Sequence, residues 1–235
     1  MEYPKKLSLV EHLEELRGRA IKCLLFVLAA SILAYSRSGA ILELLTVPVG
    51  RLVFIAPQEA FIAHIYVSFF FGIVISSPFL LFQVWRFVAG GLSERERKWL
   101  ILFAPMSFIF LVVGSAFGYF IIIPIGLKFL LGFATDLLTP MISVSRYIAF
   151  VGGMILVFGA AFELPIAVLF LTKIGMVSPA FLCAKRKYIV VLIFIAGAFL
   201  TPPDVVTQLL LALPLLGLFE ISILLSRLVY RERAG

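Results

Sequence analysis

The chain has 235 residues, of which 63% are hydrophobic and 14% charged, with a formal net charge of +7. A water-facing surface on a chain of this length could not tolerate so many apolar side chains, which excludes a soluble enzyme and places the protein in a bilayer. The positive balance then speaks for topology and anionic headgroups at the membrane surface, and not for nucleic acid.

In chain order, Ser8 followed by Glu11 fits a capping box, and Leu9, Leu13, Leu16 and Ala20 line one face of an amphipathic helix. That helix runs into a first apolar stretch at 20–35. The stretch follows about twenty polar or amphipathic residues and lacks a small-residue cleavage site, so no cleavable signal peptide is expected. From Ser36 to Ala60, Pro48 and Pro57 interrupt short apolar pieces, which predicts a structured cap at the outer surface over 36–60. The runs 61–88, 100–127, 147–172 and 205–225 each meet the ~20 residues needed to cross a hydrocarbon core. Pro78, Pro105, Pro124 and Pro165 fall inside them and predict curved helices. A second outer connection, 128–146, holds Asp136 and Pro140.

The last pair of apolar runs is unusual. Tyr188 to Leu200 would give only ~20 Å of helix against a core of ~30 Å. Thr201-Pro202-Pro203-Asp204 follows at once, and Gln208 and Glu220 interrupt the final run. Short fifth and sixth helices are therefore expected, accommodated by a thinned bilayer or by other subunits. Six crossings, or four plus a re-entrant hairpin, both satisfy this pattern.

Of the 20 Lys and Arg residues, 16 fall in the N-terminal segment, the second and fourth gaps and the tail; Arg37, Arg51, Lys128 and Arg146 occupy the other gaps. By the positive-inside rule both termini are cytoplasmic. Cys23 and Cys183 then face a reducing compartment and are expected as free thiols. With no internal repeat and no soluble segment, residues 1–235 read as a single membrane domain.

Motifs of hydrolytic, phosphate-binding or zinc chemistry are missing, and the two histidines, His12 and His64, map to opposite membrane sides. No enzyme is expected. Glu163, in Phe162-Glu163-Leu164-Pro165, lies deep in the fourth run, where a charged group costs roughly 2.5–3.5 kcal/mol. It calls for water, a partner or a function; the structural alternative is a protonated carboxyl bonded to carbonyls loosened by Pro165. Glu15 and Glu96 are cytoplasmic. Glu15 is placed to pair with Arg19 at i+4, and Ser93 with Glu96 forms a second capping box. Two such carboxylates also suit the planar fork of an arginine. Asp204 reads as an N-cap, and the Gln208 amide calls for a partner helix.

Taken together, these positions resemble the TatC family, the multi-spanning receptor subunit of the twin-arginine protein translocase. The resemblance rests on His12-Leu13-Glu14-Glu15-Leu16-Arg17, on Pro48, and on Ser77-Pro78-Phe79-Leu80-Leu81-Phe82-Gln83-Val84-Trp85. It continues through Glu96-Arg97, Phe158-Gly159, Phe162-Glu163-Leu164-Pro165, Thr201-Pro202-Pro203-Asp204 with Gln208, and Phe219-Glu220-Ile221. It implies an all-α polytopic protein of a prokaryotic inner membrane, with six transmembrane helices in a concave, glove-like bundle. It further implies that Glu15 and Glu96, with Arg17 and Phe87, take the paired arginines of signal peptides on folded precursors. Glu163, Gln208, Thr201 and Asp204 would meet TatA and TatB, or one bifunctional TatA-like subunit, while Pro48 and Glu220 would be structural. Other TatC copies and lipids are further implied partners; no cofactor is expected, and the proton-motive force would supply the energy. The family pattern usually has Ala-Pro-Ala-Leu where this chain has Ala89-Gly90-Gly91-Leu92, which predicts a looser first cytoplasmic loop.

Two other functions compete. A proton-coupled transporter would use Glu163 as a relay but calls for inverted repeats, which are not visible. An intramembrane hydrolase lacks its residues.

Overall fold

The structure is a computed structural model, and it describes residues 9–50, 52–135, 139–200 and 205–234. Ser8, Asp136, Thr201 and Asp204 lie outside the described residues, and with them the first capping box and the turn before the last helix.

Nine α-helices and one π-helical turn are described: α1 Leu9–Tyr35, α2 Ser38–Thr46, α3 Glu59–Gly90, α4 Glu94–Arg97, α5 Leu100–Phe117, the π turn Gly118–Ile122, α6 Ile123–Leu131, α7 Val144–Lys173, α8 Pro179–Leu200 and α9 Val205–Ala234. Among the described residues, five segments are long and apolar enough to cross a membrane: Val10–Tyr35, Glu59–Gly90, Leu100–Leu131, Val144–Lys173 and Val205–Tyr230. Large apolar side chains such as Leu33, Ile101 and Leu213 stay exposed. Lipid, and not water, is the medium that makes such a surface favourable.

Two expectations about the last pair need correction. The sixth helix is not short: α9 has 30 residues, because Gln208 and Glu220 are satisfied by α8 and do not break the helix. The fifth helix starts at Pro179, nine residues before its apolar run, and spans 22 residues. Its first turns carry Lys185, Arg186 and Lys187, and it is not among the five segments that qualify by composition.

The helices pack as an open row. α1 lies along α3; α3 and α5 both flank α7; α7 meets α9, and α9 carries α8. α7 is the centre, with Ile148, Val151, Phe158 and Ile166 fully enclosed. Two crossings are close because a glycine faces the neighbour. A Cβ on Gly72 would stand 2.8 Å from the Ser31 backbone of α1, and one on Gly114 would stand 2.4 Å from the Phe158 carbonyl of α7. Small residues of this kind set helix contacts where lipid removes the hydrophobic drive. Two buried hydroxyls bond back to their own helix: Thr172 to the Val168 carbonyl at 2.8 Å and Ser222 to Leu218 at 2.6 Å. The π turn ends two residues before Pro124, where a wider turn relieves the clash of the ring with the preceding carbonyls.

The two connections at the end opposite the basic loops are joined. The backbone of Val53 bonds Ile142 and Val144, both at 3.0 Å. Glu59 accepts from the Ser143 hydroxyl at 3.2 Å and the Ile55 amide at 3.0 Å. Tyr119 and Tyr147 donate to the carbonyls of Leu44 and Leu45 at 2.8 and 2.7 Å, and His64 Nδ1 sits 2.9 Å from the Ser38 hydroxyl. Pro48 lies in the turn that ends α2, closed by Val49 and Gly50 amides onto the Thr46 carbonyl; Gly50 has φ 74°, a conformation that favours glycine. We refer to this as the cap end, and to the other as the basic end.

Candidate functional site

At the basic end, one face of α1 presents His12, Glu15 and Arg19, spaced by three and four residues so that they line up along the helix. Opposite them, α3 presents Gln83, Phe87 and Gly90 at the same kind of spacing. Arg19 Nε donates to Glu15 Oε1 at 2.9 Å, and Arg19 Nη2 makes a second, shorter bond to the same oxygen. Arg19 Nη1 reaches across to the buried Gln83 Oε1 at 3.0 Å. His12 stacks on Phe87 with ring centroids 4.3 Å apart and 19° between planes. The remaining oxygen, Glu15 Oε2, lies 4.0 Å from His12 Nδ1 and faces Gly90, where a Cβ would be 3.7 Å away. Glu15 is thus a carboxylate held from behind by Arg19, with its other oxygen toward the end of α3.

Glu96 is committed to the expected capping box. Its Oε2 accepts from the Ser93 amide at 2.9 Å and the Ser93 hydroxyl at 2.7 Å. The box opens only the single turn α4, and a fresh start at Leu100 begins α5. Arg97 Nη2 donates to the Ala89 carbonyl at 3.3 Å and ties this loop to the end of α3. The double glycine does not loosen the connection by left-handed backbone: Gly91 caps α3 with φ −94°, and Gly90 is helical. What Gly90 supplies is room beside Glu15. Phe87 therefore stands beside Glu15 and at the head of the loop that carries Glu96. Arg17, two positions on from Glu15, is exposed and lies off this face.

Deeper in the molecule, Glu163 of α7 lies beside the Ser107 hydroxyl of α5. Ser107 in turn receives the Trp85 indole N–H of α3 at 3.1 Å. Glu163 Oε1 is buried without a hydrogen-bond partner. Gln208 Nε2 donates to the Phe194 carbonyl of α8 at 2.8 Å and packs against Gly197. Glu220 pairs with Arg186 at 2.6 Å, again between α9 and α8. Glu163 is thus apart from the Glu15 face, and Gln208 and Glu220 serve the α8–α9 pair.

Residues 11–214 match the family model described as Sec-independent protein translocase protein (TatC). The chain is 40% identical over 230 residues to the Sec-independent protein translocase protein TatC of Carboxydothermus hydrogenoformans, covering 96% of this chain and 95% of that protein. It is 39% identical over 235 residues to the TatC protein of Aquifex aeolicus, covering 97% and 98%. The chain belongs to the TatC family. A crystal structure of the twin-arginine translocase receptor TatC superposes with a TM-score of 0.87 at 40% identity, over 93% of this chain and 99% of that one. This TatC chain is accordingly an all-helical, multi-pass membrane protein of prokaryotes and a transport protein, not an enzyme.

Sequence reasoning singled out Glu15 and Phe87 but gave no role in the site to His12 or Gln83, and it took Arg19 only as an ion-pair partner. The signal was present: 12, 15 and 19 on one TatC helix and 83, 87 and 90 on the next share the spacing of facing helical stripes.

Proposed function

We propose that this TatC chain binds the paired arginines of signal peptides on folded precursors at its basic end, which faces the cytoplasm. With TatA and TatB, or one bifunctional TatA-like subunit, it then exports them across the inner membrane on the proton-motive force. The observation that carries this reading is Glu15: its Oε1 is anchored by Arg19, which Gln83 holds in turn, while Oε2 is offered beside Gly90 and His12, the ring that stacks on Phe87. A carboxylate fixed in this way accepts a guanidinium fork without first losing side-chain freedom. The stacked pair of His12 and Phe87 supplies an apolar flank for the residues next to the arginines. Glu96 brings a second carboxylate to the rim, and exposed Arg17 meets polar parts of the peptide.

The reading includes six crossings of a single membrane domain, 1–235, arranged as a concave, glove-like bundle. Support comes from the open row of helices and from α8. Lys185, Arg186 and Lys187 on α8 share an end with Arg227 on α9, through the Arg186–Glu220 pair and the contact of Arg227 with Cys183. Both helices are long enough for a full passage, and in this reading both have their basic ends inside. Glu163, Gln208, Thr201 and Asp204 are assigned to contacts with the partner subunits, and further TatC copies complete the assembly.

Photocrosslinking of a twin-arginine precursor, against a twin-lysine version, tests the central claim. Replacing Glu15 by Gln is expected to weaken the twin-arginine contact by about tenfold or more at unchanged protein level, since a charge-assisted bond contributes ~1.5–3 kcal/mol. Undiminished crosslinking in Glu15→Gln would overturn the assignment.

A further inference from the structure

A trough of about 540 Å³ opens on the side of α3 next to the Glu15 face, between α3 and α5 at the basic end. Its floor is apolar, formed by Phe82, Trp85, Ile101 and Ala104. Its rim carries Arg86, Arg97 and Lys98, with Glu94 the acid among its lining residues. These groups are prepared for an anion. Arg86 lies over the Phe82 ring at 5.9 Å, and Arg97 is tied to the Ala89 carbonyl. Ile101 and Phe82 are exposed, Ile101 by 81%, so the floor continues into the lipid-facing surface of α5.

We propose that this trough is a binding site for an anionic glycerophospholipid, with the phosphate held by Arg86, Arg97 and Lys98 and the upper part of one acyl chain laid on Trp85 and Ile101. Charge complementarity selects the occupant. A zwitterionic lipid brings its own ammonium to a rim that is already cationic, and a signal peptide brings arginines that the rim repels. A free phosphate would leave the apolar floor unused. Basic pockets between transmembrane helices at a membrane surface recognise acidic headgroups in this way. Apart from Arg86, which also acts electrostatically on Glu15, the site differs from the Glu15 face, and its occupancy does not depend on the signal-peptide reading.

The chain has two tryptophans, Trp85 in the floor and Trp99 near Lys173, so fluorescence can report the trough directly. The full chain carrying Trp99→Phe is reconstituted in phosphatidylcholine vesicles containing a small fraction of either brominated phosphatidylglycerol or brominated phosphatidylcholine. Quenching of Trp85 is expected to favour brominated phosphatidylglycerol by about fivefold or more in relative affinity, since one basic side chain at an anionic surface is worth roughly that factor. Adding Arg86→Gln with Lys98→Gln should abolish the preference while quenching by brominated phosphatidylcholine persists, which shows that the trough is still formed. Lys185→Gln with Lys187→Gln, at another basic cluster of the same end, should leave the preference intact. Equal quenching by the two lipids, or a preference that survives Arg86→Gln/Lys98→Gln, overturns the proposal. So does relief of quenching by soluble glycerol 3-phosphate, which would reassign the rim to a free phosphate.

Discussion

Glu163 holds a buried carboxyl oxygen with no partner, beside a hydroxyl that already receives the Trp85 indole. Such an oxygen costs about 1–3 kcal/mol. Replacing Glu163 by Leu is therefore expected to raise stability in detergent by about that amount, read as an increase in thermal midpoint. In the proposed function the same variant binds the signal peptide and fails to export a folded twin-arginine reporter, whereas Glu163→Gln, which still hydrogen-bonds, keeps most export. Wild-type export by the Leu variant would leave Glu163 a tolerated buried acid. The residue stood out in the sequence because an acid in an apolar run is costly wherever it points. Its neighbours did not, since Ser107 is one of many small hydroxyls and nothing in its local sequence marks it as the one that meets Glu163.

At the scale of elements, α8 and α9 carry the question of topology. If both cross, as proposed, Val205 at the start of α9 emerges at the cap end, far from the basic residues of both helices. A cysteine at Val205 should react with an impermeant thiol reagent added to intact cells, while Cys23 and Cys183 at the basic end stay protected; labelling of Val205→Cys only after lysis would favour a re-entrant hairpin. The start of α8 is legible in the sequence. Ser178-Pro179 is a helix-start signal, and the Ser178 hydroxyl does accept from the Phe181 amide at 3.2 Å. Counting apolar residues hides it, because the second and third turns carry the basic cluster. Opposite reasoning applies to Glu220 and Gln208, which read as interruptions of a short span. Each is instead neutralised by α8, and that pairing joins positions 34 and 14 residues apart. The π turn before Pro124 is a third case: a proline signals a bend, but whether the chain answers with a kink or an extra residue in the turn depends on the packing of α7 beside it.

For the whole molecule, hydropathy and charge placed the chain in a membrane and assigned each loop to a side, because those properties depend on the medium alone. They carry no information about which helices touch, so the row of helices and the joining of the two cap-end connections through Val53, Glu59 and Ser143 are visible only in the fold. That joining is expected to make the two ends of the molecule mechanically unequal. At the cap end, bonds link residues 75 to 102 positions apart, from α2 to the π turn and to α7. At the basic end, Arg19 with Gln83 joins α1 to α3, and Arg186 with Glu220 and Arg227 with Cys183 join α8 to α9. The expected behaviour is that of a pair of tweezers, with its pivot at the cap and its tips where the precursor is proposed to arrive. Spin labels at Glu43 and Arg146 should give a narrow distribution of distances by pulsed electron resonance, and labels at Glu14 and Met176 a broad one that tightens when a twin-arginine peptide is added. Equal widths at both ends would mean a uniformly stiff frame. On the tweezers account, compliance at the tips lets one receptor fit signal peptides of different bulk without disturbing the fold that holds it in the membrane.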